Sequence, residues 1–237
     1  MTQRATYQSV AAHIQDRIEA GELTIGRRLP SERQLCEQLQ VSRANARDAL
    51  HHLENRGLIY RLNRIGWYVS PPVFIYDPTR THSILHEARQ HQRSLETELI
   101  SAKRETVSVA ITRTLGLSSQ TPVYKVIRRR SIDGRWALLE SCYYREDAFE
   151  GLLEQDLSGS LTDLVSRHYG YRQRSLNIGI SSTCLNDQQA LCLQVREGSP
   201  ALRLERSVCV YGQCLIVEME HWLHDTVEMR VKGESQE

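Results

Sequence analysis

The sequence predicts an α+β chain in two parts: a small helical unit closed by a hairpin, then a larger domain built on an antiparallel sheet. Three observations predict it. Apolar residues in the first seventy positions recur at helical spacing in three segments, each stopped by a glycine or a tight turn. Pro71, Pro72 and Pro78 then interrupt the chain in a way that no helix interior and few strands accept. Beyond them, long alternating runs turn at Asp133-Gly134 and Tyr211-Gly212, and the pattern changes from helices to hairpins. With 237 residues the chain is long enough for two cores. The predicted boundaries are 1–70 for the first domain, 71–80 for a linker and 81–237 for the second domain.

In the first domain, Tyr7, Val10, Ala11, Ile14 and Ile18 form one apolar stripe, so residues 7–20 read as an amphipathic helix ended by Gly21. Ser31 with Gln34 three residues later makes a capping-box pattern, and Leu35 and Leu39 give the second helix its apolar face. After the turn at Gln40-Val41, Ser42 caps a third helix whose buried stripe is Ala46, Ala49, Leu50 and Leu53, stopped by Gly57. Two short strands follow, Leu58 to Arg61 and Trp67 to Val69, joined around Asn63 to Gly66.

In the second domain, "TPVYKVIRRRSIDGRWALLESCYY" reads as a hairpin with Val126, Arg128 and Arg130 on one face and Ile127, Arg129 and Ser131 on the other. "SLTDLVSRHYG" reads as a helix capped by Ser160 and stopped at Gly170, and "ALRLERSVCVYGQCLIVEMEHWL" as a second hairpin.

Charge is nearly balanced, at +1 overall, which excludes a nonspecific basic coat for nucleic acid. Its distribution is uneven: residues 1–70 hold ten arginines, no lysine and seven acids, leaving 20 bases and 22 acids behind them. The start "MTQRATYQSV" has no signal-peptide core, and no run approaches the ~18 apolar residues of a membrane span, so a cytoplasmic protein without a membrane partner is expected. Cys36, Cys142, Cys184, Cys192, Cys209 and Cys214 show no C-x-x-C spacing and read as small core residues. No internal repeat or low-complexity tract is present.

Helix, helix, tight turn, helix, hairpin is the layout of a winged helix-turn-helix, in which the third helix presents its first turn to the DNA major groove. Arg43 and Arg47 sit in that turn, where the helix dipole favours acids. The placement makes sense if the cations pair with phosphate or guanine outside the chain; the alternative is a solvated helix face.

With both halves laid out, the chain resembles the GntR family of bacterial transcription regulators, in the HutC branch that carries a UTRA effector domain. "GRRLPSERQLCEQLQVSRANARDALHHLENRGLI" matches the family's DNA-reading signature almost position for position. "VIRRRSIDG", Glu140, "SGSLTDL", "SPALRLERS" and Glu218 to Asp225 match more loosely across residues 120–225. The resemblance implies a cytoplasmic homodimer that grips palindromic operator DNA and binds a small metabolite in a chorismate-lyase-like C-terminal domain. By family pattern Arg33, Ser42, Arg43, Ala44, Asn45 and Arg47 fall at DNA-contacting positions. The wing departs from type: relatives usually carry two glycines and a threonine, and this chain has Arg64, Ile65, Gly66 and Trp67, so Arg64 replaces backbone approach with a side chain. Trp67 reads equally as core.

For the effector, the family pattern points to Arg128, Arg130, Glu140, Ser160, Thr162, and Glu220 or Glu218, a set suited to a small anion, phosphate or phosphonate before carboxylate. Guanidinium forks bind oxyanions bidentately, and a capped helix start adds donors. Arg128 with Glu140 also reads as a cross-strand ion pair. Thr162 stands where relatives often have tyrosine. Sugar phosphates, aminophosphonates, urocanate-like acids and fatty-acid-like anions are all compatible ligands.

No cofactor or metal is expected. His82 with His86, and Glu218 with His221 and His224, lack a convincing further ligand and read as solvated or core residues. His51 and His52 read as an exposed edge of the third helix. A regulator, most often a repressor in this family, is the expected function. An enzyme of chorismate-lyase-like fold is the alternative; such an enzyme has no need of the first seventy residues, and no nucleophile elbow, P-loop or dinucleotide fingerprint appears.

Overall fold

The computed structural model describes residues 6–80, 83–172 and 174–233. The chain divides into two compact units, with the boundary between Pro72 and Val73.

The first unit is built from α1 (Tyr7–Glu19), α2 (Glu32–Leu39), α3 (Arg43–Asn55) and an antiparallel hairpin of β1 (Ile59–Leu62) and β2 (Gly66–Val69). Its helix starts are fixed by side-chain caps. Ser31 and Gln34 form the reciprocal capping box, and the Ser42 hydroxyl accepts from Asn45 N–H at 3.2 Å. Gln40, in the left-handed region at φ 54°, ends α2 and reverses the chain into α3. Ala46, Ala49, Leu50 and Leu53 are fully buried and meet Val10, Ala11 and Ile14 of α1, with Ile59, Trp67 and Val69 closing the core from the hairpin. Tyr7, expected in the α1 stripe, is exposed at the margin of the core, where its ring meets His52 of α3 edge-on at a centroid distance of 5.9 Å.

The second unit is a six-stranded antiparallel sheet in the order β4 (Leu95–Glu105), β5 (Val123–Ile132), β6 (Arg135–Arg145), β9 (Gln213–Leu223), β8 (Pro200–Val210), β7 (Ser175–Cys184). The short helices are α4 (Ile84–Gln90), α5 (Val109–Thr114), α6 (Leu161–Arg167) and α7 (Asp187–Leu193). The segment 71–80 is not merely a linker: β3 (Phe74–Tyr76) lies within it and pairs in parallel with β10 (Val227–Met229). Burial explains the difference. Phe74 and Tyr76 alternate inward and stack on the fully buried Trp222 at centroid distances of 6.2 and 5.4 Å, so this stretch belongs to the second core despite its flanking prolines.

Both central hairpins turn where the sequence expected. Asp133 and Gly134 take φ of 49° and 79°, and Tyr211 and Gly212 take 49° and 81°, the two consecutive positive values of a type I′ turn. Each return strand then carries one extra residue, Ala137 in β6 and Leu215 in β9, and the register slips by one. As a result Arg128 faces Glu140 rather than Leu139, and Arg206 faces Glu218 rather than Val217. The adjoining pairing of β6 with β9 sets Glu140 opposite Glu220 at the centre of the sheet.

Candidate functional site

The α3 start and the wing present an open set of cations. Ser42, Arg43, Ala44 and Arg47 are exposed and Asn45 half-buried, on the side of α3 opposite its core stripe. Arg43 makes no ion pair among the described residues, while Arg47 meets Glu32 at 3.5 Å and Arg33 meets Glu37 at 3.6 Å, loose contacts between well-solvated groups. Arg64 is exposed at the tip of the hairpin with φ 61°, so it keeps the left-handed backbone that a glycine would adopt freely. Behind it, Arg28 donates to the Ile65 carbonyl at 2.5 Å and lies against Gly66, where an added Cβ would meet the guanidinium at 3.0 Å. Trp67 is core, packed edge-on against His51.

In the second unit, all seven expected effector residues line one cavity on one face of the sheet, of about 50 Å³. Arg128 and Arg130 come from β5, Glu140 from β6, Glu218 and Glu220 from β9, and Ser160 and Thr162 from the start of α6. Sequence reasoning missed Arg206 on β8, Tyr76 on β3, and Arg80 and Arg174 on connecting segments, which line the same space. Five arginines therefore face three glutamates.

The groups are tightly interlocked. Glu140 Oε2 accepts from Arg128 Nε at 2.9 Å, Arg128 Nη2 at 2.5 Å and Arg130 Nη2 at 3.2 Å. Burial works to raise the Glu140 carboxyl, but the two guanidiniums overcome it and hold its pKa at about 2. Arg128 also donates to the Leu157 and Gly159 carbonyls, which fastens the approach to α6, so four of its five N–H groups are engaged. Arg206 bridges Glu218 at 2.5 Å and Glu220 at 3.1 Å with Nη1, and reaches Tyr76 Oη and the Pro78 carbonyl with Nη2. Glu220 shifts the other way from Glu140: burial and the neighbouring Glu140 and Glu218 raise its pKa despite Arg206 and a bond from Trp222 Nε1. The Nε groups of Arg130, Arg174 and Arg206 are shut off from solvent and have no acceptor among the described residues.

Two details bear on the sequence reading. The Ser160 hydroxyl accepts from Asp163 N–H and caps α6, a helix of seven residues, as the sequence indicated. Arg128 and Glu140 do form the cross-strand ion pair that was the alternative reading. Among the histidines, His221 Nε2 faces the Gln189 side chain and His224 Nδ1 faces the Pro200 carbonyl; His82 lies outside the described residues.

Comparisons with known proteins agree with this architecture. The model for "UTRA domain" matches residues 90–228, and that for "Bacterial regulatory proteins, gntR family" matches residues 6–69. The chain is 25% identical to the HTH-type transcriptional repressor NagR of Bacillus subtilis over 206 residues, covering 85% of this chain and 83% of that protein. It is 33% identical to the histidine utilization repressor of Klebsiella aerogenes over 100 residues, covering 41% and 42% of the two chains. The crystal structure of PhnF from Mycobacterium smegmatis superposes with a TM-score of 0.68 at 22% identity, covering 96% of this chain and all of that one. A helix-turn-helix unit with an exposed cationic turn, followed by a sheet domain with an arginine-rich cavity, is thus matched along its length, and the chain belongs to the gntR family of bacterial transcriptional regulators that carry a UTRA domain.

Proposed function

We propose that this protein is a cytoplasmic homodimeric repressor that binds a palindromic operator through its N-terminal units and is controlled by a small anion in the C-terminal cavity, with a phosphate or phosphonate head preferred. The observation that carries the ligand class is the arginine donors left unmade: Arg80 is held by Asp77 and Glu87, but Arg174 has no carboxylate among the described residues, an excess of one cation, and the buried Nε groups of Arg130, Arg174 and Arg206 lack an acceptor there. A tetrahedral oxyanion satisfies such donors together, and its charge offsets the excess. Arg130 and Arg206 are the contacts, Arg128 holds the α6 approach in place, and Glu218 or Glu220 receives a hydroxyl or ammonium of the ligand. The repressor assignment draws on the description of NagR as a repressor. One winged-helix unit per chain needs two-fold contacts to reach nanomolar DNA affinity, which supports the dimer.

The reading assigns no bond-making chemistry to the cavity. Its ligand acts by preferring one arrangement of the dimer, since equal affinity for both would shift nothing. Calorimetry of wild type and Arg130→Ala against phosphorylated, phosphonylated and carboxylated metabolites, with operator release followed in parallel, tests the site. A loss of roughly 30-fold or more in ligand affinity is expected for the variant, with unliganded operator affinity unchanged. Unchanged ligand affinity, or a preferred ligand without charge, defeats the assignment. Sizing of the protein and footprinting on its own promoter test the dimer and the palindrome.

A further inference from the structure

The arginine-lined cavity is small. Ligand sites commonly span about 300 to 1,000 Å³, so about 50 Å³ receives only the head of a metabolite. The rest has somewhere to go within the same unit. A second cleft of about 420 Å³ shares Ser83, Thr162 and Arg174 with the cavity. It is lined by Arg89 from α4, Arg167 from α6, and Arg172 and Arg174 from the segment entering β7, with Asp163 its one acid.

These arginines differ from most others in the domain. Arg128, Arg129, Arg135, Arg145 and Arg206 each hold a carboxylate within 3.0 Å. Among the described residues, none of Arg89, Arg167, Arg172 and Arg174 makes an ion pair or side-chain hydrogen bond. Arg174, the residue common to both spaces, has a solvent-excluded Nε without an acceptor. Four like charges around one concave space repel one another, and a buried donor left unmade is costly; an anion in the cleft relieves both. Solvent alone relieves the outer guanidiniums but not the Arg174 Nε.

We infer that the effector carries two separated acidic groups, a head in the inner cavity and a second phosphate, phosphonate or carboxylate in the outer cleft on Arg167, Arg172 and Arg174. The inference rests on the inner cavity taking an anion. The ligand class is a short-chain dianionic metabolite, and the spacing between its acids selects it.

The test uses full-length protein and calorimetry with two probe series of increasing chain length: alkyl monophosphonates and α,ω-alkane bisphosphonates. In wild type, the bisphosphonate of one chain length binds about tenfold or more tighter than its monophosphonate, because the second contact is made at high effective concentration. Arg167→Ala/Arg172→Ala, which changes two exposed side chains, abolishes that gain and keeps wild-type affinity for the monophosphonate. Arg130→Ala weakens both series. A gain that is absent at every chain length, insensitive to chain length, or retained in the double variant overturns the second subsite. If Arg130→Ala still weakens the monophosphonate in that case, the inner site stands. If it does not, or if wild type binds neither series, the inner site fails as well.

Discussion

The arginines of the two units are put to opposite uses. At the α3 start, Arg43 has no ion pair among the described residues and Arg47 only a loose one, in the helix turn where the dipole disfavours a cation. In the sheet cavity, Arg128 and Arg206 are sequestered and fixed by carboxylates and carbonyls. The first arrangement costs the fold little and leaves the charge available to a partner outside the chain. The second makes each guanidinium part of the core, so any ligand must compete with Glu140, Glu218 or Glu220 for its donors. An exposed arginine is thus assessed by affinity, a buried one first by stability.

The largest effect expected from that contrast is at Arg128. Arg128→Ala strips Glu140 of its main partner and the Leu157 and Gly159 carbonyls of their donor, and is expected to cost about 3 to 5 kcal/mol in denaturant unfolding. A cost below 1 kcal/mol breaks the comparison.

Glu140 gives the same argument a pH dependence. Its folded pKa of about 2 lies below the ordinary 4.5, so the stabilisation it lends is complete above pH 4.5 and disappears as pH falls toward 2. The shift corresponds to roughly 3 kcal/mol, and Glu140→Gln is expected to flatten the acid limb of stability in that window. Glu220 has the opposite sign, its pKa raised, so its protonation on acidification favours the folded state and partly masks the loss.

At the reading helix the expected order reverses. Arg43→Ala and Arg47→Ala each change stability by no more than about 0.5 kcal/mol, yet weaken operator binding by about 1 to 3 kcal/mol if the side chain reads a base, or lower the salt slope by about one if it holds a phosphate. Equal affinity and slope in both variants remove this turn from the interface. The smallest effect is at the wing: Arg64→Gly relieves a left-handed arginine and raises stability by less than about 1 kcal/mol, while the salt slope of operator binding falls by about one. An unchanged slope shows that Arg64 meets no phosphate.

The first unit was almost wholly legible in the sequence, because each helix is announced by an apolar stripe whose residues are local, and α2 and α3 by a serine cap as well; the Thr6 cap of α1 was not read. The two central hairpins were legible from their turns. Edge strand β4 was not assigned: Leu95–Glu105 is rich in Glu, Leu, Ala, Lys and Arg, good helix formers, and is a strand only because β5 offers it a ladder. Of the cavity, the resemblance supplied seven residues and missed Arg206, whose partners Glu218 and Glu220 become its neighbours only through the bulge at Leu215. A regular hairpin from Tyr211-Gly212 sets Val217 opposite it. Arg174 was hidden for another reason: it lies in a connection without periodicity, and its place is fixed by packing distant in sequence.

Ala137 and Leu215 are not among the cavity's lining residues, yet each is the residue that its strand sets aside so that a carboxylate meets an arginine. Deleting either leaves an even hairpin with Arg128 still opposite Glu140 and Arg206 still opposite Glu218, whereas keeping the residue and ironing out its bulge sets Leu139 or Val217 opposite an unchanged arginine. Each bulge therefore takes up one residue beside its turn while the charged wall of the cavity keeps its pairing.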